Sequence, residues 1–233
     1  MSEFDTSRRE ILTAGTLLAG ISAIAGKAVA APVAAQSPSF TPQPLPFAPA
    51  SLGWLSEKII TSHHDNNYVG AVKRLGAIRA EFAKLDVATA QGFQINGLKR
   101  EELIAWNSMI LHELYFAGLG AGEDISASLG KAIEQSFGSQ DRWAAEFTAM
   151  GKALGGGSGW VLLVWSPHDR MLTNQWAADH SMTLACGLPL LALDMYEHAY
   201  AMDFGAKAAA YVDGYMKGFS WGNANRLFSS IKI

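Results

Sequence analysis

Asp194 and His198 stand four residues apart in "LDMYEHAYAMDFG" (193–205), a stretch made mostly of aromatic and small apolar residues, with Glu197 between them. A carboxylate and an imidazole in such surroundings are costly unless another side chain, a metal ion or a partner chain pairs with them. The chain has six histidines: His63, His64, His112, His168, His180 and His198. His168 falls in a predicted turn and reads as solvated, and nothing around His180 singles it out. His63 or His64, His112 and His198 fall in apolar segments on three different elements. Any one of them alone reads as a core histidine with a backbone hydrogen bond. Taken with Asp194 they form a set of imidazole nitrogens and one carboxylate, which suits manganese, iron or zinc. Two of these ligands lie in the helical half and two in the sheet half, so an ion would clip the halves together.

The elements that must carry these residues follow from hydrophobic periodicity. From Leu52 to about Leu85, Tyr68, Val72, Leu75, Ile78 and Phe82 recur at three- and four-residue steps, with Lys73, Arg74 and Arg79 on the other side. Ser51 or Ser56 is placed to cap the entry. A second helix is expected from Lys99 to about Gly118, with Leu103, Trp106, Ile110 and Leu114 as its apolar stripe. "GLGAGED" (118–124) ends it and marks the domain boundary. Two short helices are expected around 125–136 and 140–154, separated by "FGSQ". Gly155 to Gly159 then break the helix. "WVLLVW" (160–165) and "MLTNQW" (171–176) read as a hairpin about "SPHDR", and "LPLLALD" (188–194) as a third, central strand. Helices resume at 206–219 and 221–230. The class is therefore α+β: a long N-terminal α-hairpin (45–120) and a C-terminal domain (121–233) with a three-stranded antiparallel sheet.

Of 233 residues, 49% are hydrophobic and 17% charged, which reads as globular. A net charge of −3 argues against a nucleic-acid partner but not against a small anionic substrate. The one cysteine, Cys186, excludes an internal disulfide and a thiolate cluster, and reads as a small buried hydrophobe. Arg8 and Arg9 precede an apolar run from Ile11 to Ala25, and Ala28 and Ala30 fit a cleavage site before Ala31. Residues 1–30 thus read as a signal peptide of the twin-arginine type, implying a periplasmic protein with no membrane attachment after cleavage. Residues 31–44 form a Pro-rich linker, and Pro32, Pro38, Pro42 and Pro44 forbid helix there.

Several of these stretches together resemble one family. "DMYEHAYAMDF" is similar to the D-x-W-E-H-A-Y-Y-x-D-Y signature of iron/manganese superoxide dismutases, with Tyr196 where tryptophan is usual. "LPFAPASLGWLSEKIITSHHD" resembles the family's opening L-P-Y…I-S-x-x-T-x-x-x-H-H, and "LHELYFAGL" resembles N-H-S-L-F-W. "FGSQDRWAAEFTAMGKALGGGSGWVLLV" resembles the segment that ends in G-S-G-W, and "TNQW" the A-N-Q-D before the third strand. The resemblance runs from about Leu45 to Phe228 in the family's order.

It implies disproportionation of superoxide to O2 and H2O2 at a mononuclear manganese or iron site. The implied metal ligands are His63, His112, Asp194 and His198. Alignment on Ser56 and Ile60 puts His63 in the first ligand place, whereas a gap-free alignment from Pro46 would put His64 there. Gln175 matches the glutamine that hydrogen-bonds the metal's solvent, and Trp160 would line the pocket. Glu197 matches the residue that reaches the partner subunit's ligand, with Tyr200 in the same interface, implying a homodimer. With His63 as ligand, Asn67 and Ala71 stand where the family has the histidine and tyrosine of its substrate gate. Tyr68 is expected to fill part of that gap. A non-catalytic periplasmic metal-binding protein on the same fold is the alternative.

Overall fold

The computed structural model describes residues 40–120 and 122–231. The expected signal peptide and most of the linker lie outside the described residues. The described chain falls within one compact unit, Pro38–Ile233.

Ser56 caps the first helix, its side chain accepting from the Ile59 N–H, while its own N–H and hydroxyl donate to Asp203 at 2.6 and 2.7 Å. That contact joins the start of the helical half to a residue 147 positions later. The expected single helix is three pieces: α1 (Glu57–Ser62), a π-helical turn (His63–Tyr68) and α2 (Val69–Ala83). A π-turn inside an α-helix frequently marks a functional position, and this one contains the histidine pair. The second helix, α3, runs Gly92–Ala117, seven residues longer at its start than the spacing predicts. Its inward face also differs. Leu103, Trp106 and Ile110 are 46%, 36% and 37% exposed, and the buried face is Ala105, Ser108, Leu111, His112, Tyr115 and Phe116. The small residues Ala105 and Ser108 lie on the buried face of α3, which packs against α2, whereas the large apolar side chains nearby lie outside.

Then come α4 (Ala127–Phe137) and α5 (Gln140–Ala153), separated as expected at "FGSQ": Gly138 ends α4 with φ 88° and Ser139 caps α5. Strands β1 (Trp160–Ser166), β2 (Met171–Ala177) and β3 (Leu188–Asp194) form an antiparallel sheet. The order is β2-β1-β3, so the fully buried β1 is central and β3 is an edge strand, correcting the expectation for β3. A 3-10 turn (Glu197–Ala199), α6 (Ala201–Phe204), α7 (Ala208–Gly218) and α8 (Gly222–Ser230) complete the chain. α3 packs on β3, which brings His112 toward Asp194. Cys186 is exposed, with φ 58°, and is not the buried hydrophobe expected. No helix among the described residues is long and apolar enough to cross a membrane.

Candidate metal centre

Asp194 is the last residue of β3, paired with Trp160 at the start of β1, and both are fully buried. Three imidazoles converge on its Oδ2: Nε2 of His63 at 3.1 Å, of His198 at 3.3 Å and of His112 at 3.6 Å. One ligand atom from each of the four residues lies within 4.8 Å of the others, the span of a single coordination sphere. His63 comes from the π-turn, His112 from α3, and Asp194 and His198 from the end of β3 and the turn after it. The helical and sheet halves thus meet at this point, as the spacing of the four residues implies. His64 is excluded from the cluster: its Nε2 lies 2.9 Å from the Gln43 carbonyl and its Nδ1 2.8 Å from Asp65.

The protonation pattern shows what the cluster lacks. Nδ1 of His112 lies 2.6 Å from the Ser108 carbonyl, an acceptor, so Nδ1 carries the proton and Nε2 is a bare lone pair. That Nε2 is buried and has no hydrogen-bond partner. It faces a carboxylate oxygen, another electron pair, and only a cation between them makes the arrangement favourable. Burial pushes the His112 pKa from 6.5 down to about 3 and lowers that of His63 as well, so both imidazoles are neutral, as metal ligands must be. Burial alone would raise the Asp194 pKa, but hydrogen bonds from His198 and His63 outweigh it and hold the carboxyl ionised. Three imidazoles and one carboxylate fit iron or manganese.

Around the four lie residues the sequence reading placed otherwise. Gln175 sits in mid-β2 opposite Leu162, and its Oε1 accepts from the Leu184 N–H at 2.9 Å. It makes no hydrogen bond to the four residues, and its carbonyl is spent on closing the β2–β3 connection. Tyr68 is buried, but its hydroxyl accepts from the Gln43 N–H and donates to Glu113, in a pocket with His64, Phe116 and Pro44–Pro46. It ties down the strap before α1 and does not fill the place of Ala71, which lines a different cavity together with Asn67.

The residue missed is His180. Nε1–H of Trp160 donates to its Nδ1 at 3.0 Å, and Asn107 donates to its carbonyl at 2.7 Å. Its ring stacks on Tyr196 at 4.8 Å and 12°, and Tyr196 stacks in turn on His198 at 5.3 Å and 16°. His112 lies 6.0 Å away. Because indole N–H can only donate, Nδ1 of His180 is the acceptor and Nε2 bears the proton in the neutral ring. His180 therefore presents a fixed N–H donor beside the ligands, held by three independent contacts.

Comparison with known proteins agrees with this geometry. Residues 125–227 match the family model for the C-terminal domain of iron/manganese superoxide dismutases. The chain is 64% identical over 188 residues to a superoxide dismutase [Fe] of Cupriavidus metallidurans, covering 81% of this chain and 95% of that protein. It is 30% identical to superoxide dismutase [Mn] 1 of Halobacterium salinarum, over 79% of this chain and 92% of that one. To superoxide dismutase [Fe] of Aquifex pyrophilus it is 31% identical, over 77% and 87%.

Proposed function

Because the chain belongs to the iron/manganese superoxide dismutase family, we propose that it disproportionates superoxide at one iron or manganese ion per chain. Two superoxide anions and two protons give one O2 and one H2O2. The observation that carries this reading is the orphaned Nε2 of His112, which faces Asp194 in a cluster of neutral imidazoles. His63, His112, Asp194 and His198 would hold the ion, which when bound supplies a reversible one-electron couple.

The remaining steps belong to the protein. Asp194, ionised, lowers the net charge of the centre, and its second oxygen accepts from the Tyr196 N–H at 2.8 Å, which fixes the carboxylate plane. Ser108 fixes the His112 tautomer through its carbonyl. His180 takes the role first assigned to Gln175: its Nε2–H is the donor that orients solvent or superoxide beside the ion. Trp160 and Tyr196 hold that ring in place and keep bulk water from the ligands.

The homodimer reading rests on Glu197, which is exposed beside a His198 that is itself 26% exposed. A second copy covering both would place Glu197 against its partner's ligand. Tyr200 is already buried against Tyr211 in its own chain, so its part in an interface is secondary. The periplasmic location rests on the Arg8–Arg9 leader alone. The deciding experiment is superoxide consumption per bound metal atom on the chain from about Ala31, with iron and manganese quantified in the same sample. Fast consumption that scales with metal supports the reading. A loaded, inert site supports the non-catalytic alternative.

A further inference from the structure

A cavity of about 250 Å³ lies between α2 and α3, with Asn67, Gly70, Ala71, Arg74, Ser108 and His180 in its wall. Two features set it apart from a passage for a diatomic anion. It is roomy, because Gly70 and Ala71 put no bulk where the resemblance places a tyrosine. And none of the described residues lining it is a carboxylate, while Arg74, Asn67 and His180 can each donate.

The donors are also available. Asn66 uses its amide on the Ser62 carbonyl, whereas the Asn67 side chain makes no hydrogen bond among the described residues. Arg74 pairs with Glu101 through one Nη, leaving the rest of its five-donor fork without a partner among the described residues. His180, with Nδ1 committed to Trp160, offers Nε2–H. The carboxylates nearby are already engaged, Glu101 by Arg74 and Asp179 by Ser181.

We propose that this vestibule seats a small polyatomic oxyanion, of the phosphate or carbonate class, held by Arg74, Asn67 and His180 ahead of the metal ligands. The seat lies on the approach to His180, so under the dismutase reading the bound oxyanion competes with superoxide. It raises the apparent KM and leaves kcat unchanged.

The test is calorimetric titration of the metal-loaded protein with inorganic phosphate. Saturable binding of one phosphate per chain is expected, weakened about tenfold or more in Arg74→Gln by loss of a charge-assisted contact. Ala71→Phe, which fills the cavity, should abolish it. Arg74 is exposed, so its variant reports even where Ala71→Phe fails to fold. Three results would each overturn the seat: no saturable binding, undiminished binding by Arg74→Gln, or a phosphate-induced change in the metal's absorption spectrum, which would put the anion on the ion itself. Phosphate binding by a protein that consumes no superoxide would sink the dismutase reading and uphold the seat.

Discussion

Neutral, buried imidazoles make the metal-free protein sensitive to mild acid in a way the structure quantifies. His63 and His112 are each 1% exposed, and burial lowers both pKa values, that of His112 to about 3. In the unfolded chain both titrate near 6.5. Between those values the unfolded state binds protons that the folded state refuses, so stability falls as pH falls. For His112, neutral throughout this range, moving from pH 7 to pH 5 costs about 2 kcal/mol, and His63 adds to it in the same direction. A protein of this size loses roughly 2–4 °C of Tm per kcal/mol, so the expected drop from His112 alone is ~4–8 °C. Asp194 contributes in a different window: its depressed pKa stabilises above the ordinary carboxylate range and is lost only below about pH 4. The assay is thermal unfolding of chelator-treated protein at pH 7, 6 and 5, alongside His112→Gln, which removes that titrating group and should lose about 1 kcal/mol of the slope per pH unit. A flat profile between pH 7 and 5, or an unchanged slope in His112→Gln, would refute the assignment of neutral imidazoles to the cluster.

Four further variants test the same geometry. Gln175→Ala breaks one hydrogen bond to the Leu184 N–H and should cost about 1 kcal/mol in denaturant unfolding. Superoxide turnover per metal should be retained in that variant, whereas His180→Ala should keep its metal and lose most turnover. Tyr68→Phe removes the hydroxyl that joins Gln43 to Glu113 and should cost roughly 1–2 kcal/mol, with metal content unaltered. Gly159→Ala should cost ~3 kcal/mol or more, read as a lowered urea midpoint. The glycine sits at φ +131°, and a Cβ there would fall on the Ala177 carbonyl oxygen.

The strands and short helices were legible because local chemistry determined them: Ser139 after Gly138, a glycine run before Trp160, a polar turn at 166–170. The long hairpin was less so. Periodicity finds an apolar stripe, but on α3 Leu103, Trp106 and Ile110 are 36–46% exposed, while the buried face runs through the small residues Ala105 and Ser108 to His112. A face defined by close packing and by a metal ligand carries little hydrophobic signal. The choice of His63 over His64 came from aligning Ser56 and Ile60 and holds in the structure, but helical periodicity did not make it. A π-turn rotates the residues beyond it relative to a regular helix, and nothing in "HHDNNY" announces one.

Gln175 and His180 show where matching letters and matching positions part. In the β1–β2 hairpin Trp160 faces Ala177, and across β1–β3 it faces Asp194. Partners in register share a face, so a side chain that reaches the metal from this hairpin must lie near residue 177 or in the loop just after it. Gln175 is on the right face but opposite Leu162, two residues, or about 7 Å, up the strand. The chain leaves the sheet at Ala177, and His180 is the first imidazole beyond that exit. Counting pairs back from the "SPHDR" turn reaches this position from sequence alone: the register fixes the distance to the ion, and the residue type then only has to supply a donor. Imidazole does so once Trp160 has claimed its other nitrogen. A Trp160→Phe variant tests that coupling, since it frees Nδ1 of His180 and lets the proton move between the two ring nitrogens. Turnover should fall while metal content holds, and the His180 ring should show mixed tautomers in its 15N resonances. A single Nε2–H tautomer persisting in Trp160→Phe would mean that something other than the indole sets the donor.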